Sequence, residues 1–180
     1  MHMQPHEVVE FWRAAGAQRW FARSEAFDAE CAACFREAHH AAARREFENW
    51  QDDAQGTLAL LILLDQIPRN VFRGSAHAYA SDGLAREYAQ RALEMGHDTQ
   101  VEAALRPFFY LPFEHSENLA DQERSLFLHR ALPGENADHW ARIHYDIIRR
   151  FGRFPHRNAA LGRRSTPEEQ AFLDSGGFAG

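Results

Sequence analysis

The chain has 180 residues, of which 45% are hydrophobic and 26% are charged, a composition typical of one globular domain with a substantial core. Its net charge of −6 argues against nonspecific binding to nucleic acids or anionic membranes. All 20 basic residues are arginine, which excludes Schiff-base and P-loop lysine chemistry and leaves arginine forks for any anion site.

Helical periodicity dominates the chain, and no segment shows the two-residue period of a strand. Pro5 opens the first helix and Gly16 ends it, whereas Ser24 caps the second. An apolar helix is predicted over residues 56–66 and ends at Pro68, because the residue before a proline avoids the α region. Later helices are predicted over residues 75–95, from 99 to an interruption at 107, over 117–132, over 136–151 with Trp140 facing inward, and from 167 onward. Thr166 and Glu169 are predicted to form a capping box at the start of the last helix.

These elements predict an all-α fold of antiparallel helix pairs, forming a single domain over residues 1–180 with a frayed tail over 171–180. The longest apolar run, residues 58–64, is far shorter than the roughly 20 residues that span a bilayer. The first residues also lack the basic-then-apolar layout of a signal peptide. We therefore expect a cytoplasmic protein.

The second helix carries a C-x-x-C pair, Cys31 and Cys34. A redox motif needs the first cysteine at a helix N-terminus, but this helix has already run for nearly two turns from Ser24. We therefore predict that both cysteines are core residues on one face with Phe27 and Phe35.

No metal site and no cofactor are predicted from the histidines. His144 lies on the inward stripe of its helix, one turn after Trp140, and is interpreted as a satisfied core group. The remaining histidines outside the polar loops show no metal-ligand spacing, and they occupy positions 2, 6, 39, 40, 77, 97, 129 and 139.

The first of three polar loop segments follows the apolar helix. Asp65 is placed at its C-terminal end, where a carboxylate meets the negative end of the helix dipole at a cost of roughly 0.3–1 kcal/mol. Arg69, Asn70 and Arg73 follow directly. We predict that Asp65 is buried and bonded to an arginine. Either this pair only locks a turn, or it orients an arginine toward a ligand.

The second segment interrupts an aromatic stretch with His115, Ser116 and Glu117. Ser116 is predicted to be a helix N-cap and Glu117 a favourable acid in the first turn. His115 precedes this helix, where backbone N–H groups favour an anion. A hydrolytic triad of these adjacent residues is disfavoured, because neighbours along one stretch of chain rarely converge.

The third segment follows a later helix and contains Arg153, His156, Arg157 and Asn158. The simplest interpretation is capping of the helix C-terminus by cations. Like the first segment, it places an Arg-Asn pair just after a proline. The alternative is that all three segments are neighbours in space, with Arg69 or Arg73 within about 10 Å of His115 and of Arg157, a distance that a small bound anion could bridge.

Three stretches of the chain together resemble a known family: LLDQIPRNVFRGSAHAYASD, FFYLPFEHSE and GRFPHRNAALGRRSTPEE. They are similar to the signature segments of the bacterial domain-of-unknown-function family 924, and the resemblance covers essentially the whole chain. It implies a tetratricopeptide-like helical fold. It implies no established activity, ligand or catalytic residue.

The favoured functional prediction is a site that binds a small anionic molecule or a peptide carboxylate. An alternative is a hydrolase-like enzyme in which His115 or His156 is the general base and Glu117 orients it. A protein-interaction module is a third possibility. The predicted ligand-binding residues are Asp65, Arg69, Asn70, Arg73, His115, Ser116, Arg153, His156, Arg157 and Asn158.

Overall fold

The computed structural model describes residues 3–178, and within that range all regular structure is helical. The prediction of an all-α fold is therefore confirmed. The α-helices are α1 (Pro5–Ala15), α2 (Ala17–Trp20), α3 (Glu25–Ala43), α4 (Ala54–Leu61), α5 (Ile67–Val71), α6 (Asp82–Glu94), α7 (Leu111–Glu114), α8 (Leu119–Arg130), α9 (His139–Phe151) and α10 (Pro167–Asp174). Short 3₁₀ turns cover Glu48–Asp52, Ala76–Tyr79, His97–Gln100, Arg106–Phe109 and Pro155–Arg157.

The chain divides into two compact units where a single domain is predicted from the sequence. Unit 1 contains Met1–Arg73 and His77–Pro112, and unit 2 contains Gly74–Ala76 and Phe113–Gly180. The tetratricopeptide-like superhelix implied by the resemblance stays a prediction. No helix between residues 3 and 178 has the length and apolar character needed to cross a membrane.

Unit 1 is built on helix pairs in which α1 and α6 pack against α4, and α5 packs against α3. The predicted starts of α1 and α3 are confirmed: Pro5 opens α1, and the Ser24 hydroxyl accepts a hydrogen bond from the Phe27 amide. The central helix α4 buries nearly all of its residues, as expected for a helix that is apolar on every side.

The predicted helix end at Pro68 is wrong. A π-helical turn, Ile62–Gln66, continues α4, and α5 continues that turn through Pro68. The Ile67 amide donates to the Ile62 carbonyl, five residues back. The regular α-helical hydrogen-bond pattern is thus already interrupted just before Pro68, the residue that has no N–H to donate. Asp65 consequently lies inside a long helical segment rather than at a C-terminal end.

The predicted pair of core cysteines is only half correct. Cys31 is fully buried, and burial, with help from Asp28, raises the pKa of its thiol to about 12. Cys34 is exposed. Three residues turn the helix by about 300°, so the two side chains point about 60° apart, and of the two only Cys31 is on the buried side of α3.

Unit 2 places α8 against α9, with a small core of Ile147, Ile148 and Phe154. Two sequence predictions fail here. Trp140 is 58% exposed rather than inward, and the cap of α8 is Asn118, whose side chain accepts from the Ala120 amide, rather than Ser116.

The end of the chain departs from the predicted frayed tail over 171–180. Thr166 and Glu169 form the predicted capping box, and α10 continues through Asp174. Beyond it, Phe178 packs against the ring of His144 at 4.6 Å between centroids. Residues 179 and 180 lie outside the described range.

Candidate functional site

The first polar segment forms a buried ion-pair cluster in unit 1. Asp65 is 1% exposed, and its Oδ1 lies 3.1 Å from Nη1 of Arg69. Arg69 also donates through both Nη atoms to the Asp82 carboxylate, at 2.8 and 2.9 Å. Burial opposes the charge of Arg69, but Asp65 and Asp82 together hold its pKa above the usual value. The predicted burial and pairing of Asp65 are thus confirmed.

Arg73 also binds a carboxylate of its own chain. Its Nε and Nη2 donate to Asp28 at 2.8 and 2.9 Å, and this pairing raises the pKa of Arg73. Asn70 donates to the Gln66 carbonyl at 3.1 Å. Both arginine forks of the first segment are therefore directed at aspartates, which favours its interpretation as a structural lock.

In unit 2, the turn after α7 is fixed by side chains that satisfy its carbonyl groups. The fully buried Gln122 donates to the carbonyls of Glu114 and Ser116, at 2.6 and 2.7 Å. Nη2 of Arg157 donates to the His115 carbonyl at 3.0 Å. The Ser116 hydroxyl donates to Asp121 at 2.6 Å. These bonds satisfy the carbonyl groups of the turn and fix the backbone that carries Glu114 and His115.

Glu114, only 3% exposed, lies between two histidines. Its Oε1 is 3.3 Å from Nδ1 of His144 and its Oε2 is 3.5 Å from Nε2 of His129. Sequence reasoning missed this carboxylate. The sequence does contain a feature that could have predicted it: Glu114 directly follows an apolar run and precedes His115. An acidic side chain in such a position needs a buried partner.

His144 has a defined tautomer. Its Nδ1 lies 2.8 Å from the Trp140 carbonyl, and because a carbonyl can only accept, Nδ1 carries the proton and Nε2 keeps its lone pair. Burial, together with the nearby His115, His156 and Arg157, lowers the pKa of His144 to about 3. The imidazole is therefore neutral at pH 7.

Three further contacts complete a group that we name the unit 2 cluster: His115, His144, His156 and Arg157. The rings of His115 and His144 are 6.2 Å apart. The Arg157 guanidinium lies 4.5 Å from the centre of the Phe154 ring, and the centre of the His156 ring lies 5.5 Å from that of Phe154. Arg157 and His144 are buried, whereas His115 and His156 are partly exposed.

The other polar residues of the third segment anchor α10. Arg153 donates to both oxygens of Glu169, at 2.6 and 2.7 Å. Asn158 donates to Ser165 at 3.1 Å and accepts from Arg163 at 2.9 Å. The Arg153 hydrogen bond lowers the pKa of Glu169 to about 2. This arrangement differs from the predicted capping of the preceding helix.

Glu117, the predicted orienter of a catalytic histidine, has other partners. Both of its oxygens accept from Arg163, at 2.7 and 3.0 Å, and one also accepts from the Phe154 amide at 2.8 Å. Burial opposes its charge, but these bonds keep the pKa of Glu117 below its ordinary value. The carboxylate next to the histidines is Glu114 instead.

The structure thus brings the second and third segments together within unit 2. Arg157 donates to the His115 carbonyl. Glu117 accepts a hydrogen bond from the amide of Phe154, which directly follows Arg153. The first segment belongs to unit 1, and its predicted proximity to His115 and Arg157 stays a prediction.

Comparison with known proteins gives two matches. Residues 8–177 match the family model described as "Bacterial protein of unknown function (DUF924)". The solved structure of a protein of unknown function, ATU0120 from Agrobacterium tumefaciens, is similar with a TM-score of 0.92 and 50% sequence identity, covering 95% of this chain and 97% of that one. No curated protein matched the chain. The chain therefore belongs to the bacterial DUF924 family, as the three signature stretches predicted.

Proposed function

We propose that the unit 2 cluster binds a small anion, either a phosphate or the carboxylate of a small molecule or peptide. The observation that carries this proposal is the buried guanidinium of Arg157, 6% exposed, next to three imidazoles. An arginine that is held on an aromatic ring and fixed by a carbonyl is pre-organised for a planar anion.

The balance of charge supports an anionic ligand. The unit 2 cluster contains the permanent cation Arg157 and three imidazoles beside one buried carboxylate, Glu114, which is near His144. Both oxygens of Glu117 are already bonded to Arg163. A neutral His144 keeps a lone pair at Nε2, which can accept a hydrogen bond from a protonated ligand oxygen.

Access supports the same location. His115 and His156 are partly exposed, whereas Arg157, His144 and Glu114 are buried. An anion entering here would exchange water for several N–H donors in a partly desolvated environment, where such bonds are stronger than in water.

A proton-transfer enzyme is the second candidate, and the pairing of Glu114 with His144 is the observation that favours it. A general base works best when its pKa lies near the operating pH, and the pKa of His144, about 3, is far below. His115 or His156 would then have to be the base. Binding is therefore the better-supported function. The interaction module and the cytoplasmic location stay predictions.

The test is ligand-dependent thermal unfolding with three probes at constant ionic strength: inorganic phosphate, a short peptide with a free carboxylate, and the same peptide amidated. A ligand at 100 times its Kd stabilises the folded state by about 2.7 kcal/mol, which corresponds to a midpoint increase of about 5–10 °C for a chain of this size. We expect phosphate or the free carboxylate to give this increase, and the amidated peptide to give none.

Matched histidine variants locate the effect. His156→Asn should abolish the increase, whereas His139→Asn, at an exposed position on α9, should leave it intact. Equal shifts in both variants, or no shift with any anion, would disprove the proposal. Cleavage of the peptide or of its methyl ester, followed by chromatography, would instead establish the enzyme.

A further inference from the structure

Three histidines of unit 1 meet on a surface that plays no part in the proposed anion site. His39 and His40 are consecutive residues near the end of α3, and His77 lies in the 3₁₀ turn Ala76–Tyr79. One ring nitrogen from each lies within 4.8 Å of the others. No local spacing predicts this cluster, because His77 is 37 residues further along the chain than His40.

The hydrogen bond of His39 determines which of its nitrogens faces the cluster. Nδ1 of His39 lies 2.8 Å from the Leu63 carbonyl, which can only accept, so Nδ1 carries the proton. The lone pair is consequently on Nε2, and Nε2 lies 3.4 Å from Nε2 of His77. Burial lowers the pKa of His39, so its imidazole is in the neutral form that a metal requires.

The separation of these two nitrogens matches a shared tetrahedral ion. Zinc–nitrogen bonds of about 2.0–2.1 Å at the tetrahedral angle place two ligand nitrogens roughly 3.3–3.4 Å apart. A hydrogen bond from the imidazole to a backbone carbonyl, as in His39, is also the usual outer-shell partner of a histidine that binds a metal.

The other two rings are held at the same place. Phe72 stacks on His77 with ring centres 3.9 Å apart and planes 9° from parallel, and it also contacts His40 at 5.7 Å. The rings of His40 and His77 are 5.3 Å apart. Because His77 is exposed and His40 is partly exposed, small side-chain rotations can bring the third nitrogen to coordination distance.

We propose that His39, His40 and His77 bind one divalent transition-metal ion of the zinc class, with a solvent molecule in the fourth position. Three neutral imidazoles suit Zn²⁺, Co²⁺, Ni²⁺ or Cu²⁺ and are poor ligands for Mg²⁺ or Ca²⁺. The buried His39 supplies the fixed ligand, and the exposed His77 faces solvent, so the ion has an entry path and an open coordination position.

The experiment titrates metal-free protein, prepared with a chelator, first with Zn²⁺ by calorimetry and then with Co²⁺ by visible absorption. A Cys34→Ser background removes the exposed thiol, which could otherwise bind metal. We expect one ion per chain and, with Co²⁺, the intense visible bands of a tetrahedral complex. Mg²⁺ at the same concentration should give no heat of binding.

Substitution of one exposed ligand tests the assignment without disturbing the core. His77→Asn should weaken Zn²⁺ binding at least tenfold and remove the Co²⁺ bands, while its circular dichroism spectrum without metal remains that of the folded background protein. His6→Asn, another exposed histidine of unit 1, should bind as the background protein does. Absence of stoichiometric binding, or equal affinity in the His77→Asn and His6→Asn variants, would overturn the proposal.

Discussion

At the scale of single residues, several acidic groups next to the core are held by specific arginine partners. Asp65 illustrates this arrangement. Its carboxylate forms an ion pair with Arg69 and accepts a hydrogen bond of 2.6 Å from the side-chain amide of Gln66. The pair lies where solvent cannot replace a lost partner, since Asp65 is 1% exposed. The role of this aspartate is therefore best measured through stability.

Asp65→Ala should lower the free energy of unfolding by about 3 kcal/mol or more, because it leaves part of the Arg69 charge uncompensated inside the protein. Urea unfolding followed by circular dichroism measures the change. Asp52→Ala, at an exposed position of the same unit, is the control and should stay within about 0.5 kcal/mol of wild type. Similar stabilities for the two variants would contradict a structural role for Asp65.

The partners of the arginines also mark the limit of prediction at this scale. The sequence indicated that Asp65 needs an arginine, because that partner is four residues away on the same helix. It could not indicate that Arg73 binds Asp28, 45 residues away, or that Glu114 faces His129 and His144. Such contacts depend on how helices pack, and no local pattern encodes them.

At the scale of elements, the helix boundaries that a local cap marks were predicted best. Ser24 and Thr166 cap α3 and α10 as expected, since a cap is a local arrangement of a side chain and the next turn. The end at Pro68 was wrong, because a π turn accommodates this proline within the helical segment. Trp140 was placed inward by periodicity, although α9 leaves it exposed.

Close contact between α4 and the preceding 3₁₀ turn requires a glycine. A Cβ at Gly56 would lie 2.1 Å from the Trp50 carbonyl oxygen, whereas a Cβ at Gly83 in α6 would meet open space. Gly56→Ala should therefore destabilise the protein by about 1–3 kcal/mol through overpacking. Gly83→Ala should stabilise it by about 0.4–1 kcal/mol.

Thermal unfolding of these two variants measures the difference directly. Both substitutions add the same methyl group to a helix, so intrinsic helix propensity favours alanine in each case. Opposite signs would confirm that the contact with Trp50 decides the outcome at position 56. A stabilised Gly56→Ala variant would show that the turn Glu48–Asp52 moves freely away from α4.

At the scale of the whole molecule, the chain has 20 arginines and 26 acidic residues. Many of the carboxylates form hydrogen bonds with arginine side chains. Glu169 in unit 2 is one of them. Arg153 lowers the pKa of this side chain to about 2, compared with roughly 4.3 in an unfolded chain. A lowered folded-state pKa means that the contribution to stability is complete above the unfolded pKa and declines as the pH falls toward 2.

We expect the stability of the wild-type protein to fall between about pH 4.3 and pH 2, and this fall to be shallower in Glu169→Gln. Urea unfolding at a series of pH values provides the measurement. Glu168→Gln, at the neighbouring exposed position, should retain the wild-type slope. Identical slopes in all three proteins would show that other carboxylates dominate acid unfolding.

The π turn has one consequence that concerns the length of the chain. It is equivalent to inserting one extra residue into the helical segment that runs from Ala54 to Val71. Each residue of an α-helix turns the following side chains by about 100°, so the insertion sets the direction in which Arg69 points. A chain one residue shorter could still form a continuous helix here, but its arginine would face away from Asp82.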